Sequence, residues 1–256
     1  MDSETLTRKY VTDLITIRDG ITATPTPSYP RISTITMAFK INREMDIETL
    51  RTKMKDSLKI RIKSSDDFIV WKMKENGFYN QITVEFVDGK SKKSVKIFPN
   101  GRIHVTGCSD VDDCNKVMHQ ICFVLKSISE IDMKIDSFDI FMINTNFTMN
   151  SQLNLQTVIN IMKKQGYNIS FNPEVYSAVK IKFKPGENMK CITASIFSSG
   201  CVLITGAVNL DEINESYKIL TRLLQDACIE PNKTVVEYDQ FMGRSFEYWR
   251  KFLGII

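Results

Sequence analysis

Histidine is nearly absent from this chain: there are two in 256 residues, His104 and His119. The six cysteines, Cys108, Cys114, Cys122, Cys191, Cys201 and Cys228, contain no Cys-x-x-Cys pair. A zinc ribbon or redox dithiol therefore lacks its ligands, no metal site is expected, and the thiols suit a reducing compartment. Long apolar runs are missing too. The longest, Ile121 to Leu125, falls far short of the roughly 20 residues that span a bilayer. The start, Met1-Asp2-Ser3-Glu4, has no apolar signal core, so a soluble intracellular protein is expected. No charge sign dominates: 34 Lys and Arg face 30 Asp and Glu, a net +4. That permits a polyanionic partner without demanding one. Catalytic signatures are also lacking. There is no phosphate-cradling Gly-rich loop, no Gly-x-Ser-x-Gly and no His-Glu-x-x-His, so neither catalysis nor a cofactor is expected.

What is present is a sentence written twice. Ser195-Ile196-Phe197-Ser198-Ser199-Gly200-Cys201-Val202-Leu203-Ile204-Thr205-Gly206-Ala207 reads as strand, turn, strand and a Gly exit. A helix follows, with Asn209 and Glu212 as a capping box and Leu210, Ile213, Tyr217, Leu220 and Leu224 as its apolar stripe. Earlier stands Val95-Lys96-Ile97-Phe98-Pro99-Asn100-Gly101-Arg102-Ile103-His104-Val105-Thr106-Gly107-Cys108. Ser109 with Asp112 reads as its cap, and Val111, Cys114, Met118, Ile121 and Leu125 as its stripe. Thr106-Gly107 and Thr205-Gly206 lie 99 positions apart. A period of that kind marks duplication of one structural unit.

Taken in order, residues 1–30 carry little periodicity, and Thr22 to Pro30 reads as an extended Thr/Pro lead-in. The first unit, 31–130, predicts a strand over 31–41 with Ile35, Met37, Phe39 and Ile41 inward and Thr34, Thr36, Ala38 and Lys40 outward. A helix 46–55, strands 68–73 and 79–87, turns at Glu75-Asn76-Gly77 and Asp88-Gly89-Lys90, strands 94–98 and 102–106, and a helix 110–127 follow. The second unit, 131–228, predicts a strand 139–149 with Ile143, Thr145, Phe147 and Met149 opposite Met142, Asn144, Asn146 and Thr148. Then come a helix 153–165 stopped by Gly166, strands 167–171, 176–184, 190–197 and 201–205, and a helix 210–225. Each unit is thus strand, helix, four strands, helix, which leaves one sheet face bare. Pro231 ends the repeat. In the tail, 229–256, Phe241, Phe246, Tyr248, Trp249, Phe252 and Leu253 form an amphipathic pattern. It either packs on its own domain or binds a partner.

These residues carry a resemblance over about 31–228. Asn172-Pro173-Glu174-Val175-Tyr176 looks like the stirrup loop of the TATA-box-binding protein family, and Ile196 to Gly200 with Leu203 to Ala207 looks like its signature strand pair. Low overall similarity, an Ile/Lys/Asn-rich composition and the private tail are what a divergent member from a large DNA virus or a protist would show. The resemblance implies an α+β fold. It would be a pseudo-twofold saddle of two repeats, with a curved ten-stranded antiparallel sheet beneath and helices on the convex face. It implies a monomer that lies in the minor groove of A/T-rich double-stranded DNA, bends it, and recruits a transcription factor IIB-like partner and RNA polymerase. Minor-groove kinking by this family is a known case of such recognition. Intercalating aromatics would be Phe98 and Phe197, with Tyr79 and Tyr176 in place of the other two. Thr106, Thr205 and Leu203 would read the groove floor, with His104 in place of the partner of Leu203. The family's central Asn pair is not kept: Thr34 and Met142 stand there, with Thr36 and Asn144 one rung on. Of its phosphate contacts Arg102 and Lys182 match, Glu85 and Cys201 do not, and Lys96, Lys180 and Lys184 could compensate. Asn172, Glu174 and Val175 would dock the partner.

Plainer readings stand beside these. An aromatic residue at a strand end is usually core, but Ile97 and Ile196 already claim the buried face next to Phe98 and Phe197. His104 reads as a satisfied surface histidine or a base reader. Lys90-Ser91-Lys92-Lys93 reads as a solvated loop tip or a phosphate contact. Similar saddles in DNA glycosylases and some ribonucleases H need a further catalytic domain, for which residues 229–256 are too few. The eroded Asn pair and missing phosphate contacts leave room for a protein-interaction scaffold or decoy that has lost DNA binding.

Overall fold

The computed structural model of the chain describes residues 3–54, 58–61, 68–74, 78–88, 91–130 and 132–255. Residues 34–141 form one compact unit, and the residues before and after them form the other. In chain order the elements are α1 (Ser3–Asp19), β1 (Arg31–Ile41), α2 (Ile47–Lys53), β2 (Leu58–Arg61), β3 (Phe68–Met73), β4 (Ile82–Asp88), β5 (Ser91–Ile97), β6 (Arg102–Cys108) and α3 (Val111–Ser129). There follow β7 (Ile135–Thr148), β8 (Ser151–Leu153), α4 (Leu155–Lys164), β9 (Asn168–Asn172), β10 (Tyr176–Phe183), β11 (Ile192–Ile196), β12 (Cys201–Ala207) and α5 (Leu210–Leu224). The tail adds β13 (Cys228–Pro231), β14 (Gln240–Phe241), β15 (Arg244–Ser245) and α6 (Phe246–Phe252). The class is α+β, with antiparallel strands and segregated helices.

In the 34–141 unit the sheet order is β2-β3-β4-β5-β6-β1. Period-2 alternation sends Ile35, Met37, Phe39, Val84, Phe86, Val95, Ile97, Ile103 and Val105 to one face, all buried. The apolar stripe of α3, Cys114, Val117, Met118, Ile121, Val124 and Leu125, is buried as well. In the other unit the order is β7-β12-β11-β10-β9. Ile181, Ala194, Ile196, Val202 and Ile204 are buried there, as are Val158 and Met162 of α4 and Ile213, Tyr217, Leu220 and Leu224 of α5. Each sheet keeps its other face for solvent.

The repeated sentence folds the same way twice. Phe98 N–H donates to the Arg102 carbonyl at 2.9 Å and Gly101 N–H to the Phe98 carbonyl at 3.1 Å. Phe197 N–H donates to the Cys201 carbonyl and Gly200 N–H to the Phe197 carbonyl, both at 3.0 Å. Gly101 and Gly200 have φ of +76° and +86°, and a Cβ there would lie 2.1 Å from the Arg43 carbonyl or 2.2 Å from the Ser151 carbonyl. Only glycine fits either turn, for conformation and for space. Gly166, at φ +75°, ends α4 as expected.

Several expectations change. Residues 3–19 carry little periodicity, yet they form α1, with Tyr10, Val11, Leu14 and Ile15 buried. Asn214 of α5 donates its side-chain amide to the Tyr10 carbonyl at 3.1 Å. Strand β2 adds to the expected elements, its Leu58-Lys59-Ile60-Arg61 alternating over only four residues, and β4 begins at Ile82, so Tyr79 stands in a turn. The α3 cap is Asp110, which accepts from Asp113 N–H at 2.7 Å, while Asp113 accepts from Ser109 N–H at 2.9 Å. The capping box is thus one residue later than Ser109 and Asp112. Asn209 does cap α5, at 2.9 Å from Glu212 N–H. Glu212, however, accepts from Val208 N–H at 2.7 Å and Lys190 N–H at 2.9 Å, tying the strand entry to the helix. Lys93 is no solvated tip. Its side chain is 0% exposed and pairs with Asp113 at 3.0 Å, because a buried ammonium persists only with a partner. The Glu75-Asn76-Gly77 turn, Gly89, Lys90 and Lys55 lie outside the described residues.

The tail packs on its own unit. Tyr29 stacks on Phe246 at 3.8 Å and Tyr10 meets Phe241 at 4.8 Å. Arg250 Nη1 bonds Asp19 at 2.8 Å. Asn150 clasps both terminal segments. Its amide donates to the Thr26 and Val236 carbonyls at 2.9 and 3.0 Å and accepts from Val236 N–H at 2.9 Å. It is fully buried and left-handed, with φ 55°. Asn150→Ala is expected to cost about 3 kcal/mol by orphaning these groups. The melting temperature should fall roughly 6–12 °C, and calorimetry that shows no change removes the clasp.

Candidate nucleic-acid interface

The solvent faces of the two sheets can be read rung by rung. In the 34–141 unit one rung runs Thr83–Lys96–His104–Ala38 and the next Glu85–Ser94–Thr106–Thr36. In the other unit one rung runs Ser170–Lys180–Ser195–Leu203–Asn146 and the next Asn168–Lys182–Thr193–Thr205. Hydroxyl and small apolar groups therefore fill the inner strands. The exposed cations Lys96, Lys180, Lys182 and Lys184 stand further out. Thr36 Oγ1 lies 3.5 Å from Thr106 Oγ1, and Thr205 Oγ1 donates to the Thr193 carbonyl at 3.3 Å. That lining suits a surface presenting acceptors on its floor and anions on its rails, as a minor groove does.

The four aromatic positions are not equivalent. Phe98 and Phe197 occupy the first position of identical turns, and each is half-buried. Tyr176 lies 5.7 Å from Phe197 at a steep angle, with Lys180 Nζ 4.1 Å over its ring. Here the structure brings the predicted pair together. Tyr79 has no ring neighbour among the described residues. It is 83% exposed in a turn, beside Phe78 at 72%. Phe98 packs instead on His104 at 4.9 Å, and His104 on Phe141 at 5.5 Å. Arg102 sits 5.4 Å over the Phe141 ring and 3.7 Å from the Asp139 carboxylate. Burial first, then the charges of Arg102 and Lys96, lower the His104 pKa. The imidazole is thereby held neutral, with one donor and one acceptor.

The central positions are polar on only some rungs. Thr34, Thr36, Met142 and Asn144 are each half-buried. Asn144 accepts from Ser33 Oγ through its carbonyl at 3.0 Å. The side-chain oxygens of Thr34, Asn144 and Asn146 are buried and find no hydrogen-bond partner among the described residues. Asn146, directly opposite Leu203, joins the face although only its alternation hinted at it. Phe141, Phe78 and Arg51 of α2, which donates to the Tyr79 carbonyl at 3.0 Å, were likewise not singled out by sequence. Glu85 pairs with Lys92 at 3.5 Å, so the missing phosphate contact is an occupied carboxylate.

The Asn172–Val175 loop is a closed turn. Asn172 Oδ1 accepts from Glu174 N–H at 3.2 Å, and Val175 N–H donates to the Asn172 carbonyl at 3.1 Å. Glu174 is exposed, and Val175 is 81% exposed. Among the described residues no three His, Cys, Asp or Glu side chains gather to hold a metal ion. Nor is any helix there long and apolar enough to cross a membrane.

The fold and the duplicated sequence have counterparts among known proteins. The family model of transcription factor TFIID (or TATA-binding protein, TBP) matches residues 29–128 and 137–227. A TATA-box-binding protein-like protein of Acanthamoeba polyphaga mimivirus is 25% identical over 248 residues, covering 78% of this chain and 67% of that one. The TATA-box-binding protein of Methanothrix thermoacetophila is 24% identical over 136 residues, covering 53% of this chain and 71% of that one. The Methanococcus jannaschii TBP structure superposes with a TM-score of 0.56 at 15% identity, over 77% of this chain and 98% of that one. With both halves matched in order, the chain belongs to the TATA-binding protein family, as a divergent member.

Proposed function

We propose that this protein is a transcription initiation factor that binds A/T-rich double-stranded DNA in the minor groove, bends it, and recruits a IIB-like factor and RNA polymerase. The observation that carries the reading is the outward sheet face of each unit: hydroxyl and apolar groups inside, lysines outside, and a Phe held at the same glycine-fixed turn in each. A widened groove floor offers acceptors to Thr106, Thr205, Asn144 and Asn146. Thr34 and Met142 flank them, and Leu203 packs on the floor. Neutral His104 adds one donor. Phe98, Phe197, Tyr176 and Tyr79 enter base steps, while Lys96, Lys180, Lys182, Lys184 and Arg102 approach phosphates. The protein acts as a monomer on DNA, inside the cell or a viral transcription compartment, without cofactor or catalysis.

A shift assay on A/T-rich and G/C-rich duplexes tests this. Without a central Asn pair, choice rests on groove width and step flexibility more than on direct hydrogen bonds. We expect an A/T preference looser than a strict TATA element. Five cationic contacts predict log affinity falling against log salt with a slope of about −4.5. Equal binding to both duplexes, or a strict G/C-rich motif selected from a random library, overturns the reading. The engagement of Arg102 by Asp139 and of Lys92 by Glu85 favours a second reading, a protein-interaction scaffold with weak DNA binding. No shift at low salt would select it.

A further inference from the structure

The two loops that carry Tyr79 and Tyr176 are built differently. Asn172 to Tyr176 closes on itself, Tyr176 faces Asn172 in the β9–β10 ladder, and its ring leans on Phe197. Among the described residues no α4 side chain bonds that loop. Phe78 to Gln81 is a turn closed by Gln81 N–H to the Phe78 carbonyl at 3.3 Å, and its support comes from outside. One terminal nitrogen of Arg51 donates to the Tyr79 carbonyl at 3.0 Å and approaches the Gln81 carbonyl at 3.4 Å.

Arg51 itself is fixed. Asp46 caps α2, accepting from Thr49 N–H at 3.1 Å and Thr49 Oγ1 at 2.6 Å. Ile47, Leu50 and Met54 bury the helix against its unit. The guanidinium therefore reaches the turn from a seated helix. Bonding both carbonyls holds the backbone beneath Tyr79 and leaves the ring exposed, with no aromatic neighbour among the described residues. A side chain 83% exposed otherwise samples many rotamers, and ordering it on binding costs affinity.

We infer that Arg51 is the positioning residue for the wedge of the 34–141 unit: it holds the Phe78–Tyr79 turn so that Tyr79 enters a base step as Tyr176 with Phe197 does from the other unit. This rests on the minor-groove reading. The probe is a self-complementary A/T-rich duplex carrying 2-aminopurine beside the step entered at each end. On such a duplex the two labelled ends are equivalent, so total unstacking is the sum over four rings, two from each unit.

At saturating protein, Tyr79→Ala should lower the fluorescence rise by about a quarter, because one of four inserted rings is lost. Arg51→Met should do the same. The double variant should be no lower than either, since both changes remove one event. A merely structural arginine would lower binding or melting temperature without lowering the signal at saturation. If Arg51→Met does not fold, as judged by circular dichroism, Arg51→Lys is the second variant. It keeps the stem and charge but loses the planar fork, and should lower the signal by less. Full signal from the folded Arg51 variant, or a further fall when it is added to Tyr79→Ala, overturns the inference alone. A wild-type protein that binds without unstacking either end overturns the wedge mechanism and this inference with it.

Discussion

Replacing Phe98 and Phe197 together by alanine is expected to abolish DNA bending while the protein stays folded. Both rings are half-buried at the first position of turns fixed by Gly101 and Gly200. The apolar core beside them is supplied by Ile97 and Ile196, which are fully buried. Unstacking a base step costs a few kcal/mol, and inserted rings offset it. Without them the bend is unsupported, and affinity should fall by about 2 kcal/mol or more, at least ~30-fold. The single variants should differ. Phe197 supports Tyr176 at 5.7 Å, whereas Phe98 rests on His104 and not on Tyr79. Phe197→Ala therefore loosens two wedges and Phe98→Ala one. Energy transfer between end labels measures the bend. A double variant that bends DNA like wild type would remove the wedge assignment.

Charge reversal at Glu174 should abolish capture of a IIB-like factor on promoter DNA while DNA binding survives. Asn172 holds the loop through two bonds and Pro173 stiffens it, so little order is lost on docking. Val175 projects as an exposed apolar knob beside the exposed carboxylate of Glu174, a pairing that would suit a basic partner. Glu174→Arg keeps the turn, because its bond to Asn172 uses the backbone N–H. An added cation should, if anything, strengthen DNA affinity slightly. Ternary complex yield by gel shift is the readout, and a tenfold or greater loss is expected, about 1.4 kcal/mol. An unchanged yield would eliminate this docking site. The tail would then be the next candidate, narrowed to Tyr248 and Phe252, since Phe246 and Trp249 are buried.

Much of the site was legible because it repeats. Thr106 and Thr205, Phe98 and Phe197, and their turn glycines recur in one pattern, and each fell where alternation placed it. Residues outside the repeat left no such trace. Arg51 reads as an ordinary helical arginine until α2 brings it to the Tyr79 carbonyl. Continued alternation would group Phe141 with the buried Ile143, yet it packs on His104. Ala38, on the outward series with Thr36, is buried opposite His104, because a methyl between larger neighbours is covered.

By itself the sequence determined what depends on local periodicity and backbone chemistry. That covers the duplicated unit, most strands and helices, the glycine turns and the outward rows of threonine and lysine. Those features follow from side-chain period and from φ values only glycine adopts, and neither needs a distant partner. Tertiary structure decided what depends on neighbours far apart in the chain. It made residues 3–19 a packed helix, folded the tail onto Tyr10 and Tyr29, buried Lys93 against Asp113, and gave the two tyrosine loops unlike supports. Burial and ion pairing are set by which surfaces meet, and Tyr10, Val11, Leu14 and Ile15 announce α1 weakly until Asn214 of α5 and Phe241 of the tail meet Tyr10.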